Sequence, residues 1–257
     1  MTEMTPLSKA VAKSNLKNIQ LIATDIDGTL TKNGKFTSNL FLSLEKLAAA
    51  QIQVLVITGR SAGWTQAIKN YLPVVGAIAE NGGLFYPTHS EAPKFLTFIP
   101  YINLHRQNLA EIFQYLKSLF PRIEESVDNQ FRLTDWTFDI QDLSLSELTK
   151  IAEICSSKGY GFTYSNVHCH IKPLEQDKAT GLLQVLSEYF PELTTEKIIT
   201  VGDSPNDETL FDESKFPLSV GVANVRDYVD KLNHQPVYIT RQKEAEGFCE
   251  LAELLLE

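Results

Sequence analysis

Cysteine is scarce in this 257-residue chain: Cys155, Cys169 and Cys249 stand far apart, and none belongs to a CxxC pair. That spacing argues against a disulfide framework and a thiolate zinc site and fits a reducing, cytoplasmic setting. Positive charge is also short, with 23 Lys and Arg against 32 Asp and Glu and a net charge of -9. General affinity for nucleic acid or an anionic membrane is therefore disfavoured. No apolar run is long enough to span a bilayer. The opening stretch, MTEMTPLSKAVAKSNLKN, lacks the apolar centre of a secretory signal. Internal repeats and low-complexity linkers are absent too. An anionic substrate must then be met by a local device: a metal ion, a lysine or a helix N-terminus.

What is present is an ordinary globular composition, 43% hydrophobic and 21% charged, with enough chain for a sizeable core. Residues 1–17 read as a tail or a short helix. From Ile19 to Asp25 the chain reads as a buried strand ending on acids. Thr37 or Ser38 can cap a helix carrying Leu40, Leu44, Leu47 and Ala48 at helical spacing. Residues 52–57 form an apolar, β-branched run like an interior parallel strand. A helix from Ser61 stops before Pro73, and the run 74–79 closes at Asn81-Gly82-Gly83. Strand alternating with helix predicts βαβ units and a parallel sheet.

After Tyr86 the rhythm changes. Residues 103–120 have amphipathic helical spacing. Residues 122–140 read as two strands joined at Asp128-Asn129, 144–157 as a helix, and 162–166 and 167–172 as short strands. Parallel rhythm returns at Asp177, with a helix to Phe190 and a strand 197–201 ending at Gly202-Asp203. Strands at 218–222 and 237–240 follow, then a helix near 244–256. The expected architecture is α/β: a core of 18–86 and 173–257, interrupted by an α+β module at 87–172.

Four sites sit at predicted strand ends or helix starts, where open α/β sheets bind ligands. In Asp25-Ile26-Asp27-Gly28, two carboxylates follow a buried strand, a costly arrangement unless a cation or proton separates them. Magnesium would stabilise the pair. One carboxylate could then attack phosphorus while the other handles the leaving group's proton. Thr58-Gly59-Arg60 follows the next strand and offers a hydroxyl and backbone N–H groups to a phosphoryl group. Lys178, beside Asp177 at a helix start, could neutralise phosphate charge and restrain Asp25. Gly202-Asp203-Ser204-Pro205-Asn206-Asp207 offers Asp203 and Asp207 to a metal. Each site alone has a plainer explanation as a turn, a cap or an exposed lysine. Their convergence favours chemistry.

Together these residues resemble the haloacid dehalogenase superfamily of phosphohydrolases. DIDGTL at 25–30 resembles its first motif, Thr58 its second, Lys178 its third and GDSPND at 202–207 its fourth. ATDIDGTL, the ENG at 80–82, GDSPNDETLF and SVGVAN at 219–224 most resemble subfamily IIB. Its members carry a large α+β (C2B-type) cap and include Cof-like hydrolases and the sucrose-phosphate and mannosyl-3-phosphoglycerate phosphatases. The resemblance implies a Rossmann-type core with the cap at 87–172 setting specificity. It implies Asp25 as nucleophile and Asp27 as general acid/base. It implies magnesium on the Asp25 carboxylate, the Asp27 carbonyl and Asp203, with Asp207 close by. Thr58, Gly59, Lys178 and Asn206 would bind the phosphoryl group, and Asn81 would face the substrate. The expected function is a magnesium-dependent phosphatase of a small phosphorylated metabolite, a sugar phosphate. Alternatives are a phosphomutase with the same aspartyl-phosphate chemistry, or a non-catalytic binding protein. The oligomeric state is left open.

In the module, His168, His170 and Lys172 share one face of a predicted strand. That face either contacts substrate or is solvated; a zinc site of the HxH type lacks further ligands. Arg132 and Asp135 are further candidates, while Trp64 and Trp136 read as packing residues.

Overall fold

The structure, a computed structural model, describes residues 4–9, 16, 18–90, 92–140 and 143–257. Its first half alternates strand and helix: β1 (Thr5–Pro6), β2 (Leu21–Thr24), α1 (Ser38–Ala49), β3 (Gln53–Ile57), α2 (Ala62–Tyr71) and β4 (Gly76–Ala79). Two further strands, β5 (Leu84–Pro87) and β6 (Lys94–Phe95), lead to α3 (Ile102–Leu119), β7 (Trp136–Asp139), α4 (Leu145–Ser157), β8 (Tyr160–Tyr164) and β9 (His168–Pro173). The chain ends with α5 (Lys178–Tyr189), β10 (Ile198–Gly202), β11 (Ser219–Gly221), β12 (Tyr238–Ile239) and α6 (Glu244–Leu256).

Nine strands form one sheet in the order β1-β12-β11-β10-β2-β3-β4-β5-β6. Pairing is parallel from β1 to β4, and antiparallel where β5 and β6 join. The central strands are apolar throughout because both faces are covered. Ile22, Val54, Val56, Ile199 and Val201 pack with Leu40 and Leu44 of α1 and Leu251 of α6. Their alternates Leu21, Ala23, Leu55, Ile57 and Ile198 pack with Leu182, Val185 and Leu186 of α5 on the other side. The helices start where capping chemistry dictates. Thr37 accepts from Leu40 N at 3.2 Å, Asp177 accepts from Thr180 N at 2.9 Å, and Ser144 forms a capping box with Glu147.

The small antiparallel sheet, β7-β9-β8, packs with α3 and α4. Phe113, Phe138, Ile151, Cys155, Cys169 and Ile171 form its core, so two of the three cysteines are packing residues.

The structure differs from the sequence reading in two places and adds to it in a third. Residues 122–140 do not make two strands. A single bridge at Glu125–Phe138 replaces the first, and Val127–Phe131 is a 3-10 turn. The Asn129 side chain takes over the ladder there: its Nδ2 donates to Thr137 O at 2.7 Å, and its Oδ1 accepts from Thr137 N at 2.8 Å. A side-chain amide thus satisfies the strand edge. The large sheet runs past residue 86 to Phe95, so the first module boundary lies later than 86/87. In 1–17, read as a tail or a short helix, the described part adds a two-residue edge strand, and Ser8 and Lys9 after it are helical. Thr5–Pro6 pairs with Tyr238–Ile239, and Leu7 is buried. Pro6 suits an edge, where the missing N–H costs no ladder bond. Residues 1–3, 10–15 and 17 of that segment lie outside the described residues.

One buried residue ties the small module to the sheet. Glu80 follows β4 with φ of 52°. Its carboxylate accepts from Ala62 N (2.9 Å), Leu133 N (3.0 Å), Thr134 N (2.6 Å) and Thr134 Oγ1 (2.8 Å). Its own carbonyl accepts from Gln176 Nε2 at 2.6 Å. Truncation would strand several buried donors, so Glu80→Ala is expected to lower stability by roughly 2–4 kcal/mol. Urea denaturation checks this; a loss within experimental error would show that the joint is solvated.

Candidate active site

The register of the parallel strands decides which residues meet. Thr24 of β2 stands opposite Val56 of β3 and Val201 of β10. One or two residues further on, the three chains leave the sheet side by side, carrying Asp25, Thr58 and Asp203. β2 is the point from which the chain goes to β3 on one side while β10 lies on the other, so a crevice opens there. Gly28, at φ +81°, lets the Asp27–Thr29 turn press against the Asp203 carboxylate, leaving no room for a side chain.

Lys178, at the start of α5, is completely buried and bridges two acids. Its Nζ donates to Asp25 Oδ1 and to Asp207 Oδ1, each at 2.6 Å. Asp207 Oδ2 accepts from the backbone N–H of Asp203 (2.9 Å) and Ser204 (3.1 Å), so both its oxygens are engaged. Asp203 accepts from Thr29 Oγ1 at 3.2 Å and Asn224 Nδ2 at 2.8 Å. One ammonium therefore contacts two of three buried carboxylates, each of which offers an oxygen within 4.8 Å of the others.

The electrostatics follow. Burial, together with the charges of Asp207 and Asp27, outweighs Lys178 and pushes Asp25 up to about 7. Burial and the neighbouring Asp207 and Asp25 push Asp203 well above the usual carboxylate range. Lys178 stays protonated: burial works against its charge, but Asp207 and Asp25 overcome it. Such a set is short of one cation. Asp25 and Asp203, backed by Asp207, have the hard oxygen donors that suit magnesium.

Thr58 is buried at the end of β3, and its Oγ1 accepts from Arg60 N at 3.1 Å. Arg60 grips Asp27 with two parallel bonds, Nε to Oδ2 and Nη2 to Oδ1, both 2.7 Å, while its guanidinium stacks 4.7 Å above Trp64. Asn81 and Asn206 meet: Asn206 Nδ2 donates to Asn81 Oδ1 at 3.0 Å. A tight cavity of about 10 Å³ separates core and module, lined by Asp25, Asp27, Gly59, Arg60, Ser165, Val167, His168, His170 and Asn206.

The structure thus brings Asp25, Asp27, Gly59, Asn206, His168 and His170 to one cavity, with Lys178, Asp203 and Asp207 directly beneath. Lys172 is not among its lining residues; its ammonium is turned to Gln176 O. Sequence reasoning missed two interactions, the Arg60 clamp on Asp27 and the Glu80 joint. Both residues lay inside motifs that had been noted, TGR and ENG, but their partners are 33 and 53 residues distant. Arg132 and Asp135 were expected on a strand beside β9. They instead precede β7, where Arg132 Nη1 bonds Gly59 O at 3.0 Å and Asp135 Oδ1 at 2.9 Å.

Comparison with known proteins agrees with this geometry. The family described as sucrose-6F-phosphate phosphohydrolase matches residues 18–253. A phosphoglycolate phosphatase of Methanothrix thermoacetophila is 28% identical over 239 residues, covering 91% of this chain and 95% of that protein. The C-terminal domain of C. albicans trehalose-6-phosphate phosphatase superposes with a TM-score of 0.73 at 16% identity, over 98% of each chain. The sucrose-phosphatase of Synechocystis, solved with sucrose and phosphate, superposes with a TM-score of 0.68 at 14% identity, over 93% of this chain and 98% of that one. These two share the fold. The chain belongs to the sucrose-6F-phosphate phosphohydrolase family, within the haloacid dehalogenase superfamily, and is a phosphoric monoester hydrolase.

Proposed function

We propose that the chain is a magnesium-dependent phosphatase that releases phosphate from a small phosphorylated metabolite, a sugar phosphate, through an aspartyl-phosphate on Asp25. The observation that carries this is the cation-short cluster of Asp25, Asp203 and Asp207 around Lys178. Magnesium would be held by Asp25, Asp203 and the main-chain carbonyl of Asp27, with Asp207 acting through Asp203 and Lys178. When bound it supplies charge neutralisation for the phosphoryl oxygens.

The chain's own residues do the rest. Asp25 faces the cavity with one oxygen anchored by Lys178, so its carboxylate is oriented for in-line attack on phosphorus. Thr58 Oγ1, the Gly59 backbone, Lys178 and Asn206 surround the phosphoryl group. Asp27 protonates the leaving alcohol and then activates the water that hydrolyses the aspartyl-phosphate. Arg60 holds both Asp27 oxygens here, so Asp27 acts by exchanging one of those bonds for the leaving oxygen or for water. The module from after Phe95 to Pro173 acts as the cap: His168 and His170 face the leaving group and set specificity.

Asp25→Asn is expected to abolish phosphate release from p-nitrophenyl phosphate, as is EDTA; full activity in the purified Asn variant would remove Asp25 from the mechanism. Analysis of products from a panel of phosphorylated metabolites separates net phosphate release from isomerisation.

The raised carboxyls also predict a pH-dependent response to the metal. Asp25 titrates near 3.8 when unperturbed and about 7 when folded. A carboxyl raised on folding holds its proton more tightly in the native state, so ionising it costs stability. In EDTA, the melting temperature should therefore fall as pH rises between about 5 and 7. Added magnesium should restore it most at the upper end of that range. Differential scanning fluorimetry at several pH values reads both trends; a magnesium shift of the same size at every pH would contradict the cluster's role.

A further inference from the structure

Arg60 is held at both ends. Its guanidinium grips Asp27 with two bonds of 2.7 Å and stacks over Trp64. Its backbone is fixed by three more bonds. Arg60 N donates to Thr58 Oγ1 at 3.1 Å, and Arg60 O accepts from Glu80 N at 3.0 Å. The third fixes the peptide that joins Gly59 to Arg60: the Gly59 carbonyl accepts from Arg132 Nη1 at 3.0 Å.

That third bond crosses from the module to the core. Of the loop's three carbonyls, Thr58 O and Arg60 O are held by Asn81 N and Glu80 N, from the end of β4. Gly59 O is held from the module instead. The two parts are in close contact here, since a side chain on Gly59 would come within 3.1 Å of His170 Cε1.

Arg132 is suited to seat the loop. It is buried, with Nε and Nη2 on Asp128 and Nη1 shared between Asp135 and Gly59 O. Burial opposes its charge, but Asp135 and Asp128 outweigh burial and keep the guanidinium protonated. Two carboxylates thus hold the planar fork rigid and aim Nη1 at the loop.

The Arg60–Asp27 pair is not explained by stability. Its side chains are 25% and 16% exposed, and pairs open to solvent contribute little. Its place in the site is the better account: Asp27, Gly59 and Arg60 line the cavity together. A bidentate clamp fixes the plane of a carboxylate as well as its position. When Asp27 exchanges one bond for the leaving oxygen or for water, the other still sets the direction of the freed oxygen. That direction matters, because an acid or base acts only within hydrogen-bond reach of the atom it serves.

We propose that Arg60 is a positioning residue for Asp27, and that Arg132 of the module seats the loop from which Arg60 reaches it. Core and module then set the aim of the general acid/base jointly. This role rests on the phosphatase reading and adds to it two residues that act through Asp27.

Phenyl phosphate and p-nitrophenyl phosphate test it on the full-length, magnesium-loaded protein. The two esters are alike around phosphorus. Phenolate is the more basic leaving group and gains more from a proton in the transition state, whereas p-nitrophenolate leaves readily without one. Arg60→Lys keeps the charge and loses the fork. In this variant kcat/KM for phenyl phosphate should fall about tenfold relative to p-nitrophenyl phosphate. Arg132→Lys should move the same ratio in the same direction, by about threefold. In the double variant the ratio should be that of Arg60→Lys alone, because Arg132 acts through Arg60.

An unchanged ratio in Arg60→Lys would overturn the positioning role. Both esters would then fall together, in kcat from a disturbed site or in KM from a lost substrate contact. An unchanged ratio in Arg132→Lys, or effects that multiply in the double variant, would overturn the part given to Arg132. Should Arg132→Lys fail to fold, Arg132→Met combined with Asp128→Asn and Asp135→Asn leaves no unpaired buried charge and is read in the same way. Wild-type protein that releases no phosphate from p-nitrophenyl phosphate would instead count against the phosphatase reading itself.

Discussion

Lys178 is the interaction on which the rest of the site depends. One ammonium, fully buried, reaches both Asp25 and Asp207 at 2.6 Å. Without it three carboxylates would share a dry pocket, an arrangement that folding does not tolerate. The sheet supplies the geometry that makes it work. Asp25 leaves β2 and Asp203 leaves β10, its neighbour, while α5 enters from the sequence that follows the cap. The small antiparallel module ends at Pro173, just upstream of the lysine, so its second connection and this cation share one stretch of chain. The lysine offsets part of the negative charge of the three carboxylates and no more.

The small antiparallel module is joined to the large sheet by more than its two connecting segments. Glu80 binds the backbone of residues 133–135, Gln176 binds the Glu80 carbonyl, and Arg132 binds the Gly59 carbonyl. All of these contacts are polar and directional. An apolar contact of the same area would hold the cap on the core but tolerate sliding. Bonds to named backbone atoms fix where β9 lies over the strand ends. His168 and His170 therefore line one pocket with Asp25 and Asp27, their strand held in place by the Glu80 carboxylate and the Arg132 guanidinium.

Much of this was legible in the sequence, because buried parallel strands are continuous apolar runs and the chemistry sits where those runs stop. Asp25, Thr58 and Asp203 could be placed at the same sheet edge before any coordinates, as could Lys178 at a helix start. Resemblance of DIDGTL and GDSPND to known motifs implied roles for them. Residues 122–140 could not be read correctly. Asn129 replaces a strand with one amide, and no periodicity encodes that. Nor could the partners of Glu80, Arg60 and Asp135 be read. A buried charge declares that it needs a partner but not which one, and here the partners lie 53, 33 and 35 residues away. The edge strand at Thr5–Pro6 escaped notice because two residues carry no alternation.

The loop from Asp203 to Asp207 couples the two halves of the site. Asp207 binds the Asp203 and Ser204 N–H groups and orients Lys178, so it governs the charge seen by Asp25. From the same turn, Ser204 Oγ donates to Asn206 Oδ1, and Asn206 Nδ2 donates to Asn81 Oδ1 beyond the end of β4. Five consecutive residues thus hold both the carboxylate cluster and the Asn81 amide, so a shift of this turn would disturb both at once.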